Sequence, residues 1–382
     1  MNKQKNIIDG ILTRGVEQII PSRKSLEKLI STRKITLYQG FDPTAASLHI
    51  GHLIGIRKLA QFQKLGHKVI FLIGDFTGRI GDPTDKKASR IRLTKKEVLQ
   101  NLSDYKKEVK RVIDFDGSNA AEIKFNSKWL SRLTFEELIE LSANITVQQL
   151  IERSMFQSRI KREKPIYLHE FFYPIMQGYD SVVMNVDLEI GGSDQLFNML
   201  IGRNLMKKLS AKDKHVLTVK LLADSTGGKM SKSEGSTIFL AESPEDIFGK
   251  VMSWSDEFID PSIELLTDWP LNFAKNKNPI NVKKQIATEI VKQIYGNKKA
   301  QKALKYFEKT FQNRNPDYKK GVKNLSNIVT TLGQIIKSKS EVKRLIQQGG
   351  ICVNKRKVTN QSHKLSAGDN VKVGKRVFIK IQ

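Results

Sequence analysis

Residues 35–76, ITLYQGFDPTAASLHIGHLIGIRKLAQFQKLGHKVIFLIGDF, decide the fold. ITLYQG is a short apolar run ending in glycine, which reads as a buried strand, and the turn at Pro43 follows it. From Gly51 to Leu65 the apolar positions recur with the period of a helix, closed by Gly66. KVIFLIGDF then supplies a second strand. Strand, helix, strand in this order is the βαβ unit of a parallel sheet, whose ligands bind beyond the carboxyl ends of the strands. The chemistry is therefore expected in FDPTAASLHIGH (41–52) and DFTGRIGDPTDKK (75–87).

Working outward, Ile7, Ile8, Ile11, Leu12, Val16 and Ile19 form a helical stripe with no secretory apolar block, so the N-terminus is expected within the mature fold. Residues 94–185 read as mainly helical. VDLEIGGSDQ (186–195) returns to strand and opens a helix through Phe197, Leu200 and Leu205; HVLTVKLL (215–222) is a further strand before the loop DSTGGKMSKSEG (224–235). Beyond it, Val282, Ile286, Ile290 and Ile294 follow an Asn281 cap and stop at Gly296, and Ala300, Ala303, Leu304 and Phe307 make another stripe. NRNPDYKKGVKN (313–324) is polar, rich in turn formers and expected to be a linker. The division predicted is a catalytic unit over 1–235, a helical unit with linker over 236–325, and a C-terminal module over 331–382.

A chain of 382 residues is long enough for two or three folding units. Its 66 Lys and Arg against 39 Asp and Glu leave a net charge of +27, which suits a polyanionic partner or a lysine-rich solvated surface. The single Cys352 closes no intrachain disulfide and makes no Cys-rich zinc site, which fits a reducing cytosol; no zinc is expected. The longest apolar run, 69–73, is far short of a membrane span, and a cytoplasmic chain without membrane association is expected. From Thr331 to Gln382 there are twelve Lys and Arg and two Asp and Glu, a local balance of +10. Val342, Leu345 and Ile346 suggest a helix ending at Gly349-Gly350, and VKVGKRVFIKI alternates as strands around a Gly374 turn. Such patterning favours a folded RNA-binding module over a disordered basic tail.

Two short motifs carry chemistry. His49-Ile50-Gly51-His52 lies where a strand-end loop becomes a helix, a position that offers backbone N–H donors and the positive end of the helix dipole to an anion. Taken alone, the tetrapeptide is equally a capped surface helix. Lys229-Met230-Ser231-Lys232-Ser233 sits in a Gly- and Ser-rich loop whose lysines can close on a triphosphate and stabilise a leaving pyrophosphate. A lysine-bearing loop alone is commonly just solvated. The pair, about 180 residues apart and each at the end of a strand, is more specific than either.

That pair resembles the class I aminoacyl-tRNA synthetases. YQGFDPTAASLHIGH, GDFTGRIGDP, YPIMQGYDS and EIGGSDQLFN resemble blocks of the bacterial tyrosyl-tRNA synthetases, in the branch with a full KMSKS motif. SKSEVKRLIQQGGICVNKRKV resembles the RNA-binding fold of the small ribosomal subunit protein S-four. The resemblance implies an α/β, Rossmann-like parallel-sheet catalytic domain, a helical anticodon-binding domain and a small C-terminal α+β RNA-binding domain of S-four type. It implies a tyrosine–tRNA ligase that forms tyrosyl-adenylate and pyrophosphate from L-tyrosine and ATP, then transfers tyrosine to the 3′ end of tRNA(Tyr). ATP carries Mg²⁺ on its phosphates, and no residue is assigned as a metal ligand.

Carried over by motif, Tyr38 and Asp180 hold the substrate phenol, with Tyr173, Gln177 and Asp82 around the amino group. A hydroxyl and a carboxylate aimed at one hydroxyl are left unpaired when phenylalanine enters. Gly40, Asp42, Thr44, His49 and His52 line the ATP side; Gly192, Asp194 and Gln195 meet ribose and the reacting carboxylate. Lys86, Arg90, Lys229 and Lys232 contact pyrophosphate, with the two histidines and the last two lysines as the catalytic set. Gln39 stands where a smaller residue often faces the ribose, and Glu189 where another branch has glutamine. The rivals are a tryptophan-specific synthetase, whose indole suits the Tyr38–Asp180 pair less well, a nucleotidylyltransferase, and an RNA-binding protein that has lost catalysis. A homodimer joined near residues 130–165 is also implied.

Overall fold

The computed structural model describes residues 2–84, 94–102, 105–223, 237–312, 318–325, 327–336, 338–374 and 377–382. Its larger sheet contains β1 (Val16–Ile20), β2 (Thr36–Phe41), β3 (Lys68–Ile73), β4 (Glu122–Phe125), β5 (Leu188–Gly192) and β6 (His215–Val219), in the order β1-β6-β5-β2-β3-β4. β2, β3, β4, β5 and β6 are parallel, and β1 runs antiparallel to β6. Leu37, Val69, Phe71, Leu188, Ile190 and Leu217 are almost fully buried, as expected where helices cover both faces of a parallel sheet and its strands read as continuous apolar runs. The chain goes from β2 outward to β3 on one side and returns to β5 on the other. The gap between β2 and β5 is thus the topological switch point, where open α/β sheets bind ligands.

The βαβ reading holds closely. The helix spans Ile50–Lys64 and ends before Gly66, whose φ of +81° is the left-handed conformation glycine supplies. The N-terminal stripe does not hold: the helix Asn2–Thr13 stops before Gly15 (φ +65°), and Val16 and Ile19 belong to strand β1. The β-branched residues of VEQII pack better on a pleated edge than on a helix. A second departure is β4, a strand inside the stretch read as mainly helical. A third is the cap near 280, which is Asn278 with Pro279 at the first helical position, and not Asn281.

The helices beyond residue 243 do not build an isolated core. Ile263, Leu266, Val282, Ile286 and Ile290 share one apolar cluster with Leu12, Ile30, Leu53 and Ile56 of the sheet domain. The C-terminal module is different, with its own sheet, order β7-β11-β10-β8-β9, formed by β7 (Lys319–Val322), β8 (Ile351–Val353), β9 (Arg356–Lys357), β10 (Asn370–Val373) and β11 (Val377–Ile381). The predicted hairpin is present, with Gly374 at φ +59°, and so is the helix Lys339–Gln347. The expected linker gives up residues 319–322 to strand β7, which pairs with β11, and Val322, Ile328 and Val329 lie in this module's core. Among the described residues, no helix is long and apolar enough to cross a membrane.

Candidate active site

The carboxyl ends of β2, β3 and β5 and one face of the helix Leu168–Met184 enclose the site. Tyr173, Gln177, Asp180 and Ser181 fall on that face because they are spaced by three and four residues. Tyr38 projects from β2 and is 1% exposed; its hydroxyl oxygen lies 2.8 Å from Ser181 Oγ. Asp180 is 2% exposed, its Oδ1 accepting from Trp129 Nε1 at 2.7 Å and its Oδ2 from Asn126 Nδ2 at 3.2 Å. Tyr38 and Asp180 are neighbours in the buried interior, Tyr38 bonded to Ser181 and Glu189 and Asp180 to Asn126 and Trp129, and the remaining lone pairs of the carboxylate can accept from a ligand hydroxyl. Burial pushes the Asp180 carboxyl well above its ordinary range, and the two N–H donors pull the other way.

Next to this pair runs a row of polar side chains. Gln177 Nε2 donates to Glu189 Oε1 (3.1 Å), Asn198 Nδ2 donates to Gln177 Oε1 (3.0 Å) and to Gln195 Oε1 (3.2 Å), and Gln195 Nε2 donates to Asp82 Oδ2 (2.6 Å). Asp82 also accepts from the Thr84 N–H (2.9 Å). Tyr173 Oη donates to Asp42 Oδ2 at 2.8 Å, and Thr77 Oγ1 donates to Asp42 Oδ1 at 2.7 Å. Asp42 is raised to about 7, first by burial and then by the charges of Asp82 and Asp75. A Cβ at Gly74 would collide with the Asp42 carboxylate and the Thr77 hydroxyl, so this crowded turn accepts only glycine.

On the other side, His49 is the N-cap of the helix Ile50–Lys64, and its backbone N–H donates to His52 Nδ1 at 3.2 Å. That bond makes Nδ1 an acceptor and leaves the ring proton of a neutral His52 on Nε2. Burial, then His49, pushes the His52 pKa well below its ordinary value, so the ring is a neutral donor at pH 7. The two rings stack at 3.8 Å between centroids. The backbone beyond the second motif returns to this spot: the Ile50 N–H donates to Ile238 O (2.9 Å) and the Leu240 N–H to Leu48 O (2.8 Å). Residues 238–240 are thus fastened beside His49.

Gly40 and Thr44 are exposed at the end of β2, Gly192 is half-buried at the end of β5, and Asp194 is exposed beside it. Lys86, Arg90, Lys229 and Lys232 lie outside the described residues. Sequence reasoning gave no role to Asn126, Trp129, Ser181, Asn198 and Lys214, which touch the expected residues; Ser181 and Asn198 close the YPIMQGYDS and EIGGSDQLFN blocks, and the other three belong to no motif. Only β4 could have revealed the first two, because Asn126 follows it directly as the N-cap of the short helix Ser127–Leu130, which carries Trp129. Among the described residues, no group of three or more His, Cys, Asp or Glu is placed to hold a metal ion.

A family model described as tRNA synthetases class I (W and Y) matches residues 30–332, and one described as the S4 domain matches 334–371. The tyrosine–tRNA ligase of Carboxydothermus hydrogenoformans is 39% identical, over 97% of this chain and 96% of its own length. That of Haemophilus influenzae is 39% identical over 99% and 97%. The chain belongs to the tyrosine–tRNA ligase family. Among solved structures, the C-terminally truncated mitochondrial tyrosyl-tRNA synthetase of Coccidioides posadasii gives a TM-score of 0.64 at 24% identity, covering 78% of this chain and 91% of that one. The synthetase of Archaeoglobus fulgidus, solved with L-tyrosine, gives 0.60 at 21%, covering 78% and 99%. Both share the synthetase fold with this ligase.

Proposed function

We propose that this ligase joins L-tyrosine to tRNA(Tyr) in two steps at the β2–β5 switch point. A tyrosine carboxylate oxygen attacks the α-phosphorus of ATP, the bond to the bridging oxygen breaks, and pyrophosphate leaves with Mg²⁺, which enters as part of the substrate. A ribose hydroxyl at the 3′ end of the tRNA then attacks the adenylate carbonyl, and AMP departs. Neither step needs a protein nucleophile. The protein positions the reactants and supplies charge where it develops.

The observation that carries this reading is the pair Tyr38 and Asp180, a hydroxyl and a carboxylate buried near each other, with Asn126 and Trp129 holding the carboxylate in place. In the proposed site they take the phenol, Tyr173, Gln177 and Asp82 take the ammonium, and Gln195 meets the reacting carboxylate. Gly40, Asp42, Thr44, His49 and His52 line the nucleotide, and Gly192 and Asp194 the ribose. The neutral Nε2–H of His52 suits a phosphate oxygen as negative charge grows there. Lys86, Arg90, Lys229 and Lys232 are assigned to pyrophosphate by motif alone.

Residues 319–382 and the helices before them are proposed to hold the tRNA, and the work to be cytoplasmic. A homodimer joined near residues 130–165 is supported by the exposed apolar side chains there, Phe135 (78%), Ile139 (56%) and Val147 (56%), with Leu168 (69%) just beyond, since water does not favour such exposure. Light scattering should return twice the chain mass at micromolar concentration; a monomer would refute the dimer.

Exchange of pyrophosphate into ATP, driven by tyrosine, tryptophan or phenylalanine without tRNA, tests the activity. Exchange with tyrosine alone is expected. Exchange with tryptophan would keep the fold reading and overturn the pocket, and none with any amino acid would overturn the enzyme.

A further inference from the structure

Beneath the phenol end of the site lies a second layer of buried polar groups. Lys214, the residue before β6, is 0% exposed. Its ammonium donates to Ser181 Oγ at 2.8 Å and to Glu189 Oε2, and Glu189 is itself 2% exposed. Ser181 Oγ in turn lies 2.8 Å from the Tyr38 oxygen and 3.4 Å from Glu189 Oε2. A buried Lys–Glu pair adds little net stability over an apolar pair of the same volume. Its contact with the proposed substrate pocket, by Lys214 through Ser181 and by Glu189 through Gln177, is the feature that calls for a functional account.

Donor and acceptor counting fixes the direction of this chain. An ammonium only donates, so Ser181 gives Lys214 a lone pair and keeps its own hydrogen for another partner. A substrate phenol brings one hydrogen, and Asp180, whose two oxygens already face N–H donors, is placed to accept it. The phenol oxygen then needs a donor. Tyr38 serves only if its own oxygen accepts from Ser181, at 2.8 Å the closer of that hydroxyl's two options.

We propose that Lys214, acting through Ser181, is a positioning residue that sets Tyr38 as the hydrogen-bond donor to the substrate phenol and thereby sharpens rejection of phenylalanine. The order runs Lys214, Ser181, Tyr38, phenol, Asp180, from a buried cation to a buried carboxylate, and each bond polarises the next. Phenylalanine ends the chain in a hydrocarbon, which leaves Tyr38 with only its Ser181 and Glu189 partners and the Asp180 carboxylate without the phenol hydrogen. This inference rests on the reading of Tyr38 and Asp180 as the phenol site.

The test measures kcat/KM in pyrophosphate exchange for tyrosine and for phenylalanine. The variants are Ser181→Ala, the charge-free double variant Lys214→Met with Glu189→Gln, Tyr38→Phe, and Tyr38→Phe with Ser181→Ala. The double variant removes both ions together, so no unpaired charge is left to unfold the protein; if it fails to fold, Ser181→Ala carries the test. Each of the first two should lower the tyrosine-to-phenylalanine ratio about tenfold, the size expected for weakening one charge-assisted hydrogen bond. The loss should fall in KM for tyrosine, with the phenylalanine value unmoved, and Ser181→Ala should add nothing once Tyr38 is phenylalanine. Equal losses for both amino acids would reduce Lys214 to a structural role, and an unchanged ratio, or an effect that adds to Tyr38→Phe, would overturn the chain. The underlying reading fails separately, if the wild type shows no tyrosine-dependent exchange or Tyr38→Phe leaves the ratio alone.

Discussion

The proposed phenol pocket and the C-terminal module use polar residues in opposite ways. In the pocket, Tyr38, Asp180, Glu189 and Lys214 are buried and tied to fixed partners. In the module, Lys343, Lys355, Arg356, Lys357 and Lys380 are exposed on a small fold with its own core. The difference follows from what each must recognise. A single phenol is told from a phenyl ring by desolvated groups that lose their partner, whereas an RNA backbone is held by many solvated charges that release counterions. Discrimination therefore concentrates in few residues, and affinity for RNA spreads over many.

The largest effect expected from this contrast is that of Asp180→Ala. It removes the acceptor for the phenol hydrogen and strands the Asn126 and Trp129 donors, so kcat/KM for tyrosine in pyrophosphate exchange should fall by about 10² to 10³. Phenylalanine should be hardly affected. A loss below about fivefold would place the phenol elsewhere.

Second is the cut between the two regions. The structure moves it, because residues 319–322 form strand β7 of the C-terminal sheet and Val322 and Ile328 belong to its core. A truncation at residue 331 would strand those apolar side chains, so the clean deletion keeps 1–312. Phe378 touches Phe311 and Tyr318 across the junction, a small contact beside the two cores. The shortened chain should retain pyrophosphate exchange within about twofold while kcat/KM for tRNA drops by roughly 10², because the cations that neutralise RNA phosphates leave with the module. Equal loss in both assays would join what the two cores separate.

The same contrast explains what could be read from the amino-acid order. The βαβ unit was legible because apolar runs and terminal glycines are local signals: Gly66 and Gly374 stand at positive φ where the pattern asks for turns. The C-terminal hairpin was legible for the same reason. β1 was not, since a five-residue strand entering from a helix continues its apolar spacing by chance, and only its pairing with β6 fixes it. Asp180, Tyr38 and the histidines came from motifs. Asn126, Trp129, Ser181 and Lys214 reach them through tertiary contacts over long sequence separations, for which spacing carries no signal.

Third in size is His52→Ala. Its Nε2–H is proposed to meet a phosphate oxygen as charge develops, so kcat for exchange should fall by about tenfold to thirtyfold with KM for tyrosine little changed. A rise in KM for tyrosine at constant kcat would move His52 to the amino-acid side and blur the division between the two halves of the site.

The smallest effect concerns Asp42, which joins those halves through Tyr173. Its carboxyl is raised from 3.8 to about 7, chiefly by burial, so the folded protein binds this proton more tightly than the unfolded chain does. The stability that this proton contributes is complete below about pH 4 and is lost as the pH rises through 7. Asp42→Asn keeps the shape and has nothing to titrate. Between pH 5 and pH 8 the variant should therefore gain on the wild type by on the order of 1–2 kcal/mol in denaturant unfolding, discounted because the side chain is only half-buried. Parallel curves would show that Asp42 is ionised throughout. Added tyrosine sharpens the test: its ammonium beside Asp82 and Tyr173 would favour the carboxylate, pull the Asp42 pKa down and shrink the pH-dependent difference, whereas no ligand at the RNA-holding module should move it.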